Sequence, residues 1–479
     1  MAKIASLNDT IAAIATPAGQ GALGIIRLSG PRALEIADLV FCGRNPKPLS
    51  GMKSFCLRYG WIVRDKEAFG KSGSDPRAVG ACVVDEVVIS LMRAPKSYTK
   101  EDNVEISAHG GSRVLCAILE LLVEKGARPA EPGEFTKRAF LNGRLDLTQA
   151  EAVLDVIQAN SDLALRNSLG QLAGGLSGIF KGLRAGLLEI LADMEARLDF
   201  SEEEVLRAED VRDAEKLEGV CSQTQSLLEG SFRGRLLREG LKVVIYGRPN
   251  TGKSSLLNAL LKTERAIVTP IAGTTRDTIE ECLNIQGLAV CLIDTAGILD
   301  AGDEIERRAV ERANAAVEGS DLVLFVVDAS APLEDLDVEL YSRVKARKKL
   351  IGVVNKCDLP GVPGAERFRE FFGAHPVTEV SALKMRNIVA LEEEIVKAVF
   401  DGPLELGESP LVSNVRHIAI LKDVSQALKD AVETLRKGTP LEFAAVDVRR
   451  ALNGLGELTG EVFHEELLDS IFSRFCIGK

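Results

Sequence analysis

Residues Gly247 to Ser254 read Gly-Arg-Pro-Asn-Thr-Gly-Lys-Ser, a G-x-x-x-x-G-K-S loop that leaves the chain around it little choice of fold. The apolar run Leu241–Tyr246 before it predicts a short buried strand. The spacing of Leu256, Leu257, Leu260 and Leu261 after it predicts a helix packed on a sheet. In that strand–loop–helix setting Gly247 and Gly252 let backbone N–H groups curl around phosphate oxygens, and the helix N-terminus adds its positive end. Lys253 reaches terminal phosphates, and the Ser254 hydroxyl is placed to ligate Mg²⁺. Asn250, Thr251, Gly252 and Ser255 complete the nucleotide-binding stretch.

The base is read further along. Asn355, Lys356, Cys357 and Asp358 follow the apolar strand Leu350–Val354, an N-K-x-D pattern. A carboxylate at Asp358 accepts from both the ring N–H and the exocyclic amine of guanine, and adenine offers no such pair. The pattern is short, and it gains weight from its company. Asp294, Thr295, Ala296 and Gly297 follow the run Val290–Ile293, with the Asp294 carboxylate acting on Mg²⁺ through water and a Gly297 N–H meeting a γ-phosphate. Ser381, Ala382 and Leu383 stand beyond. Thr275, in the stretch Gly273-Thr-Thr-Arg-Asp277, is expected to close on the metal. Five ordered elements predict a GTPase domain.

The 479 residues suggest two to four domains, and 46% hydrophobic residues supply ample core. The net charge of −11, from 59 Lys+Arg against 70 Asp+Glu, argues against a non-specific nucleic-acid coat while leaving room for a local basic patch. Nine scattered cysteines without C-x-x-C, and four histidines, suggest neither a disulfide framework nor a zinc cluster. No apolar stretch approaches membrane-spanning length and no signal-peptide core follows Met1. The expectation is a cytoplasmic protein with no membrane partner.

Up to about Asn142 the texture is α+β, with strands expected at Asp9–Ala15, Leu23–Leu28, within Ala81–Met92 and at Val104–Ser107, and helices at Pro31–Val40 and Ser112–Lys125. Residues 70–80 read as a surface loop. From Leu145 the period becomes helical: Leu147, Ala150, Val153, Leu154 and Ile157, then Leu165, Leu169, Leu172, Leu176, Ile179, Leu183, Leu187 and Met194, are expected to line a bundle core. After the GTPase segment, which Gly402-Pro403 closes, three more helices are expected between His417 and Phe475. The domains are drawn at 1–142, 143–240, 241–400 and 401–479: an N-terminal α+β domain, a helical domain in two parts, and a P-loop G domain inserted between those parts.

Three further stretches, the ending Phe475-Cys-Ile-Gly-Lys479, the segment from Pro132 to Arg144, and Thr269-Pro-Ile-Ala-Gly-Thr-Thr275, make the chain resemble the MnmE (TrmE) tRNA-modification GTPases over essentially its full length. The resemblance implies an N-terminal domain that dimerises and binds a reduced folate (5-formyl- or methylene-tetrahydrofolate), a discontinuous helical domain, and a Ras-like G domain. It implies a homodimer that joins the flavoprotein MnmG in a heterotetramer and installs aminomethyl or carboxymethylaminomethyl groups at carbon five of wobble uridine in certain tRNAs. GTP hydrolysis is then driven by K⁺-dependent pairing of G domains.

By that resemblance Asn250, Thr269, Ile271 and Thr274 hold K⁺, Thr269, Pro270, Ile271, Ala272, Gly273, Thr274 and Thr275 belong to the GTP site, and Ser254 with Thr275 holds Mg²⁺. Ile298 follows Gly297 and cannot orient an attacking water, which leaves Asp303, Glu304 and Glu306 as polar groups just beyond; the resemblance implies Glu306 for that task, while Asp303 and Glu304 read as carboxylates favoured by a helix dipole. Leu299 stands where some relatives carry an arginine. Arg27, Glu105, Arg144 and Lys479 fall at the folate positions, where cations suit a glutamate tail and a carboxylate suits pterin N–H donors. Cys476 has two readings, a nucleophile or a small buried hydrophobe. The competing function is a GTPase switch in ribosome assembly, which does not require folate binding.

Overall fold

The computed structural model describes residues 8–45, 47–71, 82–199, 206–263, 280–294, 315–347, 349–360, 362, 366–400 and 410–479. The chain divides into two compact units, Met1–Leu154 with Gly456–Lys479, and Asp155–Leu455.

The first unit is built on β1 (Ile11–Ile14), β2 (Leu23–Ser29), α1 (Ala33–Val40), β3 (Phe41–Gly43), β4 (Cys56–Val63), α2 (Lys66–Lys71), β5 (Val83–Met92), β6 (Asn103–His109), α3 (Ser112–Glu124), β7 (Arg128–Pro129) and α4 (Glu134–Leu141). Its sheet runs β3-β4-β5-β6-β2-β1-β7, antiparallel except where β7 joins β1. Strand alternation sends Ile26, Leu28, Ile62, Ile89, Leu91, Val104 and Ile106 into one core with Ile36 and Val40 of α1 and Ile118 and Leu122 of α3. Each such side chain, fully buried, contributes about 1.5–3 kcal/mol. The residues between them, including Arg27, Glu105, Leu57 and Tyr59, necessarily take the opposite face, and the register sets Arg27 directly across from Glu105.

Two glycines let the C-terminal segment lie against this unit. Gly478 has φ +95°, and a Cβ there would stand 2.6 Å from the Ile14 carbonyl oxygen. Gly133, at φ +68° before α4, leaves 2.7 Å between such a Cβ and the Phe472 carbonyl oxygen. Only glycine satisfies both the left-handed backbone and the space.

Behind α4 lies a charged hub. Arg138 is 2% exposed. Its guanidinium donates to Glu134 at 3.0 Å and Glu101 at 3.1 Å, and to the carboxylate of Asp9, while Arg128 pairs with both Asp9 and Glu134. Burial pushes the Glu134 carboxyl up, but Arg128, the Glu131 amide and Arg138 outweigh that and hold it below the ordinary 4.5.

The second unit begins with α5 (Leu147–Gln158) crossing into it, then α6 (Asp162–Leu172), α7 (Gly175–Asp199) and α8 (Leu206–Glu239). The proposed leucine stripe is only partly core. Leu176, Leu183, Leu187 and Met194 are buried, whereas Ile157, Leu165 and Leu169 are exposed. The helix breaks at Gly174, φ +94°, which resets the register, and α6 buries a polar face instead. Asn167 and Gln171 bond the backbone of Leu411, at 2.7 Å from the Leu411 N–H to Asn167 Oδ1 and 2.7 Å from Gln171 Nε2 to the carbonyl.

There follow β8 (Leu241–Tyr246), α9 (Lys253–Thr263), β9 (Glu280–Ile285), β10 (Leu288–Asp294), β11 (Leu322–Asp328), α10 (Asp335–Val344), β12 (Leu350–Asn355), α11 (Glu366–Phe372), β13 (Val377–Glu379), α12 (Ile388–Phe400), α13 (Val415–Arg436) and α14 (Leu441–Thr459). The sheet order is β13-β12-β11-β8-β10-β9, parallel except for the β9–β10 pair. Its inner strands β8, β11 and β12 are near-continuous apolar runs because both their faces are covered. Leu256, Leu260, Ile395 and Val399 fill one side, and Phe325, Tyr341, Phe368 and Phe372 the other. Strand order reverses about β8, so the loops leaving the carboxyl ends of β8, β11 and β12 converge beside one crevice.

Replacing Arg138 with Ala leaves Glu101 without its guanidinium partner while Arg128 still holds Asp9 and Glu134, and breaking such a buried pair costs about 3–5 kcal/mol. Urea unfolding followed on the N-terminal sheet is expected to show that drop. In the wild-type chain the Glu134 contribution is complete above pH 4.5 and fades as pH falls below it, so the urea midpoint should decline on acidification.

Candidate nucleotide site and a second charged cluster

The loop between β8 and α9 is shaped by close approach. Gly247 has φ +146°, with room for a Cβ denied by the Val326 carbonyl oxygen at 2.4 Å. Gly252 has φ +90°, and the Asn355 amide nitrogen would be 2.3 Å from a Cβ there. Asn250 adopts φ +65°, a left-handed geometry that asparagine tolerates better than most residues. Lys253, 4% exposed, donates from Nζ to the Arg248 carbonyl at 2.8 Å, and Thr251 Oγ1 donates to the same oxygen at 3.1 Å. Ser254 and Ser255 are exposed at the start of α9.

Across the crevice Asn355 ends β12 with its side chain 2% exposed. Its Nδ2 donates to the Thr251 carbonyl at 2.9 Å, and its Oδ1 accepts the Ala382 N–H at 3.1 Å. Asn355 therefore fixes two loops relative to one another. Lys356, at φ +67°, crosses to the Asn250 carbonyl at 2.9 Å and to Asp328 at 2.6 Å. Burial pushes the Asp328 carboxyl up, but Lys356 and Ser330 hold it below its usual range. Ser381 Oγ donates to Asp358 Oδ1 at 2.6 Å and accepts the Lys384 N–H at 3.1 Å, so the Asp358 carboxylate is held in place. Gly252, Ser255, Asn355, Lys356, Asp358, Ser381, Ala382 and Leu383 line one pocket, while the Cys357 N–H donates to the Val380 carbonyl, just past β13, at 3.2 Å.

Sequence reasoning passed over Arg248. Its guanidinium turns from the loop to Glu334 and, at 3.3 Å, to Asp337, the pair of side chains that form a capping box at the start of α10. The arginine within the phosphate loop thus anchors that loop to a neighbouring helix.

Asp294 ends β10 opposite Ile245 of β8. Thr269, Pro270, Ile271, Ala272, Gly273, Thr274, Thr275, Thr295, Ala296, Gly297 and Glu306 lie outside the described residues, as do Ile298, Leu299, Asp303 and Glu304.

In the other unit Arg27, Glu105, Arg144 and Lys479 come together. Arg27 Nε donates to Glu105 at 2.9 Å and its Nη1 to the Gly478 carbonyl at 3.3 Å. Burial and the nearby Arg27 push the Lys479 ammonium below its ordinary value, with Glu105 opposing. Tyr98 joins the set, unforeseen from the sequence. The Arg27 guanidinium lies 5.6 Å and the Arg144 guanidinium 4.8 Å from its ring centroid. Its hydroxyl meets Thr136 Oγ1 at 2.9 Å, and Phe135 carries Arg27 from another side at 5.7 Å. An aromatic two residues before the charged pair Lys100-Glu101 was the available signal. Cys476 is exposed rather than the small buried hydrophobe of one reading, and its carbonyl accepts the Lys479 N–H at 3.3 Å.

A sequence profile described as the MnmE helical domain matches residues 147–476, and one described as the GTP-binding protein TrmE N-terminus matches residues 10–144. A Bacillus licheniformis protein named tRNA modification GTPase MnmE is 45% identical over 98% of this chain and 100% of its own length. Proteins of that name from Geobacillus kaustophilus and Bacillus subtilis are 45% and 44% identical, each over 98% of this chain and, respectively, 99% and 100% of their own length. A solved structure of Aquifex aeolicus Era bound to GDP·AlF₄⁻ is 31% identical, covering 39% of this chain and 65% of that one, with a TM-score of 0.28.

Asp358→Asn presents an amide donor where guanine also donates. Losing two hydrogen bonds to a charged group is expected to weaken GTP binding by roughly 10²–10⁴-fold and to shift preference toward xanthosine triphosphate, measured by fluorescent-nucleotide titration. Unchanged GTP affinity would remove Asp358 from the base site.

Proposed function

Because the chain belongs to the MnmE family of tRNA modification GTPases, we propose that it hydrolyses GTP while modifying carbon five of the wobble uridine of certain tRNAs, with an MnmG-type flavoprotein as partner. The observation that carries the nucleotide half is the pocket lined jointly by Gly252, Asn355, Asp358 and Ser381, where a phosphate loop and a guanine-reading carboxylate are bound together through one amide. In this reading the G domain (241–400) is inserted in a helical domain drawn from 143–240 and 401–479, behind an N-terminal domain at 1–142.

Lys253, turned toward the Arg248 carbonyl, moves to the β- and γ-phosphates when GTP enters. Ser254, exposed at the start of α9, would hold Mg²⁺ together with Thr275, and that ion supplies neutralising charge to the phosphates. A K⁺ ion suits Asn250 with Thr269, Ile271 and Thr274, a set of hard oxygen donors. The engagement of Arg248 with Glu334 and Asp337 keeps that arginine from serving the charge itself, which favours a cation bound nearby. Glu306 orients the water.

A reduced folate suits the cluster of Arg27, Glu105, Arg144 and Lys479: three cationic side chains for its carboxylates, one carboxylate for its pterin N–H groups. The sheet face beside this cluster presents Leu57 at 72% and Tyr59 at 41% exposure, with Val88 and Ile25 half-buried. A second copy of the chain is the proposed occupant, giving the homodimer; a monomeric mass in light scattering contradicts it. Among the described residues no helix is long and apolar enough to cross a membrane.

Two outcomes test the chemistry. GTP turnover should be rapid in KCl and low in NaCl; Asn250→Ala should abolish that difference, while Glu306→Ala retains nucleotide binding and loses about 10²–10⁴-fold in rate. Equal rates in both salts remove the potassium role. Tyr98→Ala, which removes the ring that both guanidinium groups lie on while leaving Arg27 paired with Glu105, should weaken reduced-folate binding about tenfold by calorimetry, a loss of about 1.4 kcal/mol, with Tyr98→Phe close to wild type. The decisive assay for the whole reading is modified wobble uridine in tRNA from a strain lacking the gene, restored by the wild-type chain.

A further inference from the structure

The β9–β10 hairpin turns through Gln286 and Gly287 alone, both at positive φ, +52° and +85°. That is the two-residue turn whose twist suits paired strands. The residues flanking such a turn, Ile285 and Leu288, form a hydrogen-bonded pair, and bonded and non-bonded pairs alternate outward from it. Counting out, Cys282 stands directly opposite Cys291 at a non-hydrogen-bonded position. There Cα atoms lie about 4.5 Å apart and the side chains are at their closest. Disulfides bridge Cα separations of about 4.4–6.8 Å.

Directly opposed residues point to the same face. Leu283, Val290 and Leu292 take the core face, so the two thiols share the other, where both are half-buried and within reach of a small reagent. Neither cysteine belongs to the nucleotide site or to the charged cluster.

We propose that Cys282 and Cys291 are an oxidisable dithiol site that closes to a cross-strand disulfide under hydrogen peroxide or a low-molecular-weight disulfide. With peroxide, one thiolate attacks the O–O bond, giving a sulfenic acid and releasing hydroxide. The second thiolate displaces hydroxide from that sulfur, so two thiols and one peroxide yield one disulfide and two waters. With glutathione disulfide, the first thiolate displaces one glutathione thiolate, and the second cysteine displaces the other. In a reducing compartment the bond is transient, as suits a regulatory site. The staple ties the edge strand β9 to β10, the strand that runs to Asp294.

Trypsin gives a clean readout, because fragment 277–307 contains both cysteines, no third cysteine and no internal lysine or arginine. The reduced full-length chain is treated with glutathione disulfide, quenched in acid, unfolded, alkylated and digested. The expected wild-type fragment takes up no alkyl group and weighs two hydrogens less than the reduced, unalkylated peptide. Dithiothreitol restores two alkylation sites. Cys282→Ser and Cys291→Ser should each stop at a glutathione adduct on the remaining cysteine. A wild-type fragment that takes up two alkyl groups, or carries stable glutathione adducts as the variants do, overturns the proposal. These measurements do not depend on GTP or tRNA.

Discussion

One buried carboxamide holds the nucleotide site together. Asn355 ends a fully buried strand, donates to the Thr251 carbonyl and accepts the Ala382 N–H, so both halves of the pocket are referred to a single side chain. Leaving either partner unsatisfied inside the protein costs about 1–3 kcal/mol. The arrangement works only because Gly252 lacks a Cβ, which would collide with the same amide. The Asn of N-K-x-D is therefore a structural tie, and in the proposed reading the recognition of a base is left to Asp358, whose carboxylate Ser381 steadies. Register supports this. The β11–β12 ladder ends with Asp328 opposite Asn355, which brings Asp328 within reach of Lys356 and lets that lysine bridge to Asn250.

The N-terminal unit contains two charged clusters with different logic. Around Arg138, itself 2% exposed, the guanidinium is engaged by Asp9, Glu101 and Glu134, so the cluster specifies geometry rather than presenting Arg138 to a ligand. Around Tyr98 the guanidinium groups of Arg27 and Arg144 lie on an aromatic ring, and Glu105 is the carboxylate paired with Arg27. The clusters meet at α4, whose Phe135 touches Arg27 while Thr136 bonds Tyr98 and Arg138 anchors the hub. Helical spacing alone distributes these neighbours among the two tasks.

Much of this was legible in the chain. The strand before Gly247, the helix after Lys253, and the strands ending at Asp294 and Asn355 follow from apolar runs bounded by glycine and polar residues. Such local patterns survive because a buried parallel strand has no polar face to blur it. Other elements were not legible. β4, with Leu57 and Tyr59 exposed and Trp61 buried on one face, lacks clean alternation, and α6 reverses the usual rule by burying Asn167 and Gln171. An amide buried against a distant carbonyl looks, in sequence, like a solvent-facing residue.

The sequence by itself determined a P-loop flanked by strand and helix and an N-K-x-D strand end. These are determined locally because each depends on backbone conformation or on periodicity within a few residues. Only the tertiary structure decided that Arg248 turns to Glu334 and Asp337, that Tyr98 joins Arg27 and Arg144, and that Cys282 faces Cys291. Those outcomes depend on strand register and on which face a residue takes, and a shift of one residue would reverse every one of the strand-borne placements.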